Sequence, residues 1–459
     1  MGSILYDYVM PKKETWFSTD PAVLALYRGD KWLAEGEPVA VALPRTVEEV
    51  VEVFEKARRM GLPVTTRGAG SGYAGSCMPS QGGIVLSMER FTSIRKISAK
   101  DFVAVVEAGV LTGDLHSAAR RKKLFYPPDP ASYDECTIGG NIATNAGGPR
   151  CLKYGVTGHY VLGLEVVLAD GSVVQCGGRT HKNKTGFNLA GLFVGSEGML
   201  GVVTQATLRL LPMPPSRAML SAGFESMQAA ANALQEFFRA GLLPAAAEIA
   251  DSLTLDSART YLPRTQQTQL PPGNAHLLIE WDGQPASVAA DVATTANLLA
   301  HCKATRVDVA RTESECNKLW ELRKIFSTSL KVTGLHKLNE DIVVPRGCLV
   351  AFMKFARQLQ KRSGFPIACF GHAGDGNIHT NILVANHDDP AVARRARKTL
   401  DELFAFVLEC GGTITGEHGI GLAKLPWWEI ATTPALRRLH QQVKTALDPA
   451  NILNPGKFL

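Results

Sequence analysis

Hydrophobic and polar positions follow two periods along this chain, and the switches between them mark its elements. Thr46-Val-Glu-Glu49 reads as a capping box opening an amphipathic helix that Gly61 closes. Runs rich in β-branched residues at 62–66, 83–87, 102–108 and 162–168 predict strands. Asp170-Gly171, set between apolar runs at 166–169 and 172–175, predicts a hairpin. A further strand at 201–210 runs into Leu211-Pro-Met-Pro-Pro-Ser216, where the pattern breaks. The reading therefore divides the chain into a first domain at 1–215, a second at 216–425 and a helical tail at 426–459. Beyond the break, strand–helix units recur at 219–224 with 226–240 and at 276–281 with 285–301. Helices at 313–330, 348–362 and 391–410 and strands at 366–371 and 378–384 complete the pattern, which predicts an antiparallel sheet with helices on one face.

Composition narrows the class. Of 459 residues, 45% are hydrophobic and 20% charged, ordinary values for a soluble globular protein. The net charge of +6 is small for this length, and the basic runs at 120–123 and 394–398 lack interleaved aromatics. They read as solvated helix faces rather than a nucleic-acid surface, leaving open docking to an acidic partner or to the inner face of a membrane. The nine cysteines are odd in number, irregularly spaced and form no C-x-x-C, which argues against a disulfide scaffold, a zinc ribbon and a ferredoxin-type iron–sulfur cluster. Reduced cysteines fit a cytoplasmic setting. Met1–Trp16 has no apolar core of a signal peptide, Tyr6 breaks the myristoylation pattern that Gly2 would open, and no apolar run is long enough to span a bilayer.

Glycines cluster in three loops. Thr66–Gly75 contains Gly70-x-Gly72-x-x-Gly75, a literal dinucleotide fingerprint in the wrong context: the helix precedes the strand, and Cys77-Met-Pro-Ser-Gln-Gly-Gly83 cannot open another. That argues against a Rossmann site. By itself the segment is either a surface turn or a backbone cradle for an anion, with Arg67 adding charge. A rigid turn, Tyr126-Pro-Pro-Asp-Pro130, precedes the second cluster, 137–148, which holds four glycines and no residue that reads as bulky enough for core. The third, Gly195-Ser-Glu-Gly-Met-Leu-Gly201, leads into a strand. Three such loops suggest a large, extended ligand.

A second chemical signal lies far downstream. Phe370-Gly-His-Ala-Gly-Asp-Gly-Asn-Ile-His379 reads as a hairpin that brings His372 and His379 to neighbouring cross-strand positions, with Asn381 on the face of His379. Gly416-Glu-His-Gly419 adds Glu417 and His418 on a backbone freed by glycine. Two histidines and a carboxylate suit Zn or Mn. The alternative for each is a satisfied structural residue.

The segments 67–75, 127–130, 137–148 and 196–203 resemble, in order and spacing, the FAD-binding domain of the vanillyl-alcohol oxidase and p-cresol methylhydroxylase superfamily. Leu319-Trp-Glu-Leu-Arg323, 371–381, 416–421 and Asn454-Pro-Gly-Lys457 resemble the C-terminal substrate domain of FAD-dependent D-2-hydroxy acid dehydrogenases, of the D-lactate dehydrogenase and glycolate dehydrogenase flavin-subunit type. The resemblance implies an α+β architecture: a two-subdomain FAD-binding domain of the p-cresol methylhydroxylase type, then a substrate (cap) domain of antiparallel sheet plus helices, with the tail packing back near the flavin. It implies FAD contacts at Arg67, Gly68, Ala69, Gly70, Ser71, Gly72, Gly75, Pro128, Thr137, Gly140, Asn141, Ile142, Ala143, Thr144, Gly147, Tyr154, Glu197, Gly198, Gly201, Val202 and Asn454. The first loop has no histidine of the kind that bonds flavin covalently in some members, so the FAD is expected to be non-covalent. The resemblance also implies a divalent cation on His372, His379 and Glu417, His418 as base, and Arg323 on the substrate carboxylate, with Ser327 and Asn381 as further substrate contacts. Asn339 stands where hydroxyglutarate enzymes carry Lys, which favours small monocarboxylates such as D-lactate or glycolate, although Lys337 could reach in. Electrons would pass to an external acceptor: a quinone, an electron-transfer flavoprotein, a cytochrome or an iron–sulfur partner subunit. A homodimer is admitted. The competing expectations are an O2-using oxidase of another alcohol and a non-catalytic flavin-carrying subunit.

Overall fold

The computed structural model describes residues 16–32 and 34–459, so all but the last residue of the Met1–Trp16 reading, with its signal-peptide and myristoylation arguments, lies outside the described residues. The first half builds two main sheets and a small two-stranded one, Leu124–Phe125 with Leu211–Pro212. One main sheet is four-stranded, in the order Phe17–Ser18, Ala40–Ala42, Ile84–Ser87 and Val64–Arg67, its first pair antiparallel and the other two parallel. The helix Val47–Met60 covers it through Val50, Val53, Phe54 and Ala57; Thr46 caps its start and Gly61, at φ 64°, its end. The other is five-stranded and antiparallel, in the order Ile94–Ser98, Val103–Glu107, Val202–Arg209, Val161–Val167 and Val173–Gly177, and its last two strands form the hairpin expected at Asp170-Gly171.

One glycine cluster is not a loop. Residues 138–144 form a helix, Ile138–Thr144, capped by Thr137, and Ile138 and Ile142 are fully buried in the core beneath it. The expectation that nothing in 137–148 forms core is corrected here: two isoleucines one turn apart suffice to bury one helix face.

The second half is a seven-stranded antiparallel sheet, ordered Arg306–Ala310, Ser216–Phe224, Ala275–Gly283, Ala246–Asp251, Ile367–His372, Asn377–Val384 and His336–Val343. Helices cover both faces, not one. Met227–Arg239, Pro285–His301, Leu349–Ser363 and Pro390–Glu409 pack on the side of Leu220, Leu277, Ile249 and Ile382. Ser252–Tyr261 and Glu313–Ser329 pack on the side of Ala250, Ala368, Phe370 and Leu383. Burial on both faces explains why these strands read as nearly continuous apolar runs. The second of those faces also carries, by strand alternation, Glu248, Glu280, Asp341, His372, His379 and Asn381. These six buried polar groups are thus collected on one side of one sheet.

The tail helix Pro434–Leu447 packs Val443 and Leu447 on the core beneath the second cluster, and Leu453 then bridges to Val64 beside the first glycine loop. Buried Lys444 donates to Asp448 at 2.5 Å and to the carbonyls of Met199 and Leu453, while Asp448 accepts the N–H of Ile452 and Leu453. Removing one partner of a buried, hydrogen-bonded pair costs about 3 to 5 kcal/mol. Asp448→Ala is accordingly expected to lower denaturation stability by that order and to loosen the retained flavin, measured by denaturant titration and by flavin fluorescence released on gel filtration.

Candidate active site

A cleft of about 1,220 Å³ separates the first-half loops from the charged face of the large sheet. Small-molecule sites run to about 300–1,000 Å³, so this one has room for a dinucleotide and a second small ligand. Its walls include residues 67–72 of the first loop, then Thr137, Gly140, Asn141, Ala143, Thr144 and Gly147, and then Glu197, Gly198 and Gly201. Gly70 adopts φ 68° and Gly68 approaches Thr137 so closely that a Cβ would lie 2.5 Å from its Oγ1, so neither position admits a side chain without displacing the loop. Buried Thr66 Oγ1 has no partner, an unfilled polar atom at the loop's start. The walls thus fit an extended polar cofactor.

Six residues of the expected cofactor set do not line this cleft. The N–H of Gly75 is taken by Asp30 at 2.9 Å, the Pro128 carbonyl by His116, and the Tyr154 hydroxyl by Asp282 at 2.8 Å. Ile142 and Val202 belong to the core. Asn454 spans the carbonyls of Ser76 and Glu197, tying tail to loops. Glu197 lines the cleft, but its carboxylate is spent within the chain on Ser76, Ile420 and Gly421. Burial pushes the Cys77 thiol up to about 11 and raises that of Cys136, so neither is a ready nucleophile for the flavin ring.

At the other end of the cleft, His372, His379 and Glu417 offer donor atoms within 4.8 Å of one another. The two histidines are not directly opposite: His372 pairs with Asn377 and His379 with Phe370, and their rings approach diagonally at 5.4 Å between centroids. His379 Nδ1 is buried without a hydrogen-bond partner, and burial lowers its pKa to about 3, leaving a neutral ring. Burial works against a charge on His372 as well, yet Glu248 and Glu417 overcome it and hold its pKa well above the ordinary value. A cation among these donors would take the place of that proton. Two imidazoles, one with an unpartnered buried nitrogen, and a carboxylate within this reach are the donor types that a divalent ion takes.

His418 stands alongside, its ring 6.0 Å from that of His379. Its Nδ1 lies 3.3 Å from Asp341. Burial lowers the His418 pKa, and Asp341 acts in the opposite sense. Asp341 also accepts the N–H groups of Gly416, Glu417 and His418 at 2.9, 2.6 and 3.0 Å and the ammonium of buried Lys424. Although burial would raise its pKa, His418 and Lys424 hold Asp341 ionised. Arg323 lies across the cleft on the helix Glu313–Ser329; its Nε donates to Glu248 at 2.6 Å and its Cζ lies over the rings of Phe326 and Phe370. Ser327, one turn on, lines the cleft and accepts from Lys337 at 2.7 Å. Asn339 lines the cleft too; Asn381, its partner across the strands, stands behind the wall with Oδ1 buried and unpartnered.

Glu248, Asp341 and Lys424 were not singled out from sequence. Two had a signal: Glu248 is the one charge in the apolar run 245–250, and Asp341 opens the apolar run that ends the strand His336–Val343. A lone carboxylate in a strand buried on both faces requires a partner.

An FAD-binding domain profile matches residues 38–177, and a profile described as the C-terminal domain of FAD linked oxidases matches residues 213–458. The chain is 38% identical over 427 residues to the glycolate oxidase subunit GlcD of Bacillus subtilis, covering 92% of this chain and 89% of that one. It is 36% identical to a D-lactate dehydrogenase of Archaeoglobus fulgidus, covering 92% of each, and 33% identical to a D-2-hydroxyglutarate dehydrogenase of Xanthomonas citri, covering 96% and 93%. Among solved structures, p-cresol methylhydroxylase with substrate bound superposes with a TM-score of 0.77 at 20% identity, over 96% of this chain and 93% of that one. The 4-ethylphenol oxidase of Gulosibacter chungangensis does so with a TM-score of 0.77 at 21%, over 96% and 94%, and both show the shared fold. With its glycine-lined cleft facing a buried histidine–carboxylate cluster, this chain belongs to the FAD-linked oxidase family.

Proposed function

We propose that the protein oxidises a small D-2-hydroxy acid to the 2-oxo acid. The observation that carries this reading is the convergence, in one cleft, of a carboxylate-oriented imidazole, a three-donor cluster and a buried guanidinium. Bound FAD supplies the two-electron acceptor for the hydrogen on Cα, and the lack of a ready nucleophile in the first loop supports its non-covalent retention. Arg323 grips the carboxylate through the guanidinium nitrogens that Glu248 leaves free, a planar match to a carboxylate. His418, kept neutral by burial and aimed by Asp341, takes the hydroxyl proton. His372, His379 and Glu417 would hold Zn or Mn, which as a Lewis acid would acidify that hydroxyl. Ser327 borders the same volume, Asn381 stands behind it and does not reach the substrate directly, and the neutral Asn339 favours monocarboxylates of the size of D-lactate or glycolate, the compounds named in two of the relatives.

Reducing equivalents then pass to an external acceptor. The word "subunit" in the GlcD relatives supports a partner chain carrying them onward. No helix of the described residues is long and apolar enough to cross a membrane. The nine cysteines are all free, which supports a reducing, cytoplasmic setting.

Anaerobic addition of D-lactate or glycolate is expected to bleach the flavin absorbance, with little hydrogen peroxide formed when air is admitted; no bleaching by any D-2-hydroxy acid in a panel overturns the substrate assignment. His418→Ala should lower kcat by about 10²- to 10⁴-fold, the usual contribution of a positioned base, with flavin content unchanged. Dialysis against a chelator should abolish turnover and added Mn²⁺ or Zn²⁺ restore it; full activity in metal-free protein by elemental analysis would remove the cation from the reading.

A further inference from the structure

One buried carboxylate touches both halves of the substrate grip. Glu248 is 1% exposed, in the strand Ala246–Asp251 at the centre of the large sheet. Ile249 and Ala250 pair with Gly371 and Phe370, so the register carries Glu248 alongside His372. Its Oε1 meets His372 Nδ1 at 2.6 Å and its Oε2 accepts from Arg323 Nε at 2.6 Å. Both oxygens are therefore engaged, each by a different functional residue.

The consequences are specific for each partner. With Nδ1 on a carboxylate, His372 keeps Nε2 as its free donor atom, and that atom lies 3.4 Å from Glu417. This is how a carboxylate behind a ligating imidazole fixes its tautomer and ring orientation. With Nε engaged and its face against Phe326 and Phe370, the Arg323 guanidinium cannot rotate, and among the described residues its terminal nitrogens take no acceptor within the chain. A side chain of lower charge or shorter reach cannot do both jobs. Gln offers one acceptor and one donor where two N–H donors point in, and Asp is one methylene shorter.

We propose that Glu248 is a positioning residue that couples cation loading at His372, His379 and Glu417 to capture of the substrate carboxylate by Arg323. This rests on the function proposed above. Because one group orients both, a cation that settles His372 also settles Glu248 and, through it, Arg323; by reciprocity, a bound carboxylate tightens the cation site.

The test uses the FAD-loaded protein and measures Mn²⁺ affinity by calorimetry, with and without the 2-hydroxy acid that bleaches the flavin, together with KM and kcat. Wild-type protein is expected to bind Mn²⁺ more tightly when the acid is present. Glu248→Gln should weaken Mn²⁺ by about 10- to 100-fold, as loss of such outer partners does, raise KM by a similar factor and reduce the enhancement by the acid to what direct contact of cation and hydroxyl gives in the Arg323→Ala protein. In the Arg323→Ala background and at saturating Mn²⁺, Glu248→Gln should leave KM where Arg323→Ala put it while still weakening Mn²⁺. Thermal midpoints confirm folding, and Glu248→Asp, expected to fall between the two, serves if the Gln protein does not fold. If wild-type protein binds no Mn²⁺ or Zn²⁺, the cation assignment falls and this proposal with it. If wild-type protein binds the cation but Glu248→Gln keeps both constants within twofold, or loses kcat alone, the coupling is overturned while the proposed reaction stands.

Discussion

The Asp341 carboxylate sits in a strand sealed from water and accepts N–H groups from three consecutive residues, Gly416, Glu417 and His418. Those residues lie in no helix or strand; what shapes their path is this anion. A charge buried this deeply is tolerated only when it is paired and hydrogen-bonded; Lys424 supplies the pairing, and the three N–H groups supply the hydrogen bonds. The arrangement carries Glu417 to His372 and His418 into the cleft. Remove the carboxylate and three backbone donors, one buried ammonium and one imidazole lose their partner together.

The same economy recurs around the cleft. Glu197, held at φ 48°, accepts from Ser76, Ile420 and Gly421, so the third glycine loop is bonded to both the first loop and the Glu417–His418 segment. Arg150 bridges Asp129, beside the second cluster, and Glu280 of the large sheet, while Trp320 donates to the same Glu280. Asn454 and Lys457 bring the tail onto the loop at 76–80. Buried polar side chains therefore join the two halves at the rim of the cavity. Apolar contact builds each sheet's own core; the mutual placement of cofactor loops and catalytic face rests on these directional bonds, which tolerate little rotation.

Much of this could be read along the chain. Capping at Thr46 and Gly61, the turn at Asp170-Gly171 and the helix–strand alternation of the second half are local signals, and the structure follows them closely. Rejecting a Rossmann site was sound for the same reason: nothing between Gly75 and the strand Ile84–Ser87 can start a helix, and none forms there. The misreadings are equally instructive. The helix Ile138–Thr144 was concealed by its glycines, because composition outweighed the spacing of two isoleucines. The strand Ala246–Asp251 was concealed by alanines, which have low strand propensity until neighbours on both sides bury them.

The sequence by itself singled out residues that the structure brings together in one cleft: glycine-framed histidines, a carboxylate beside one of them, and an arginine on an amphipathic helix. Residue type and backbone permission are local properties, and they survive in one dimension. What only the tertiary structure decided is how those groups are aimed. Glu248 and Asp341 lie 124 and 77 residues from the histidines they orient, and no spacing rule links them. Strand order and register bring them together, because side-chain alternation places every second residue of four adjacent strands on the same face of one sheet.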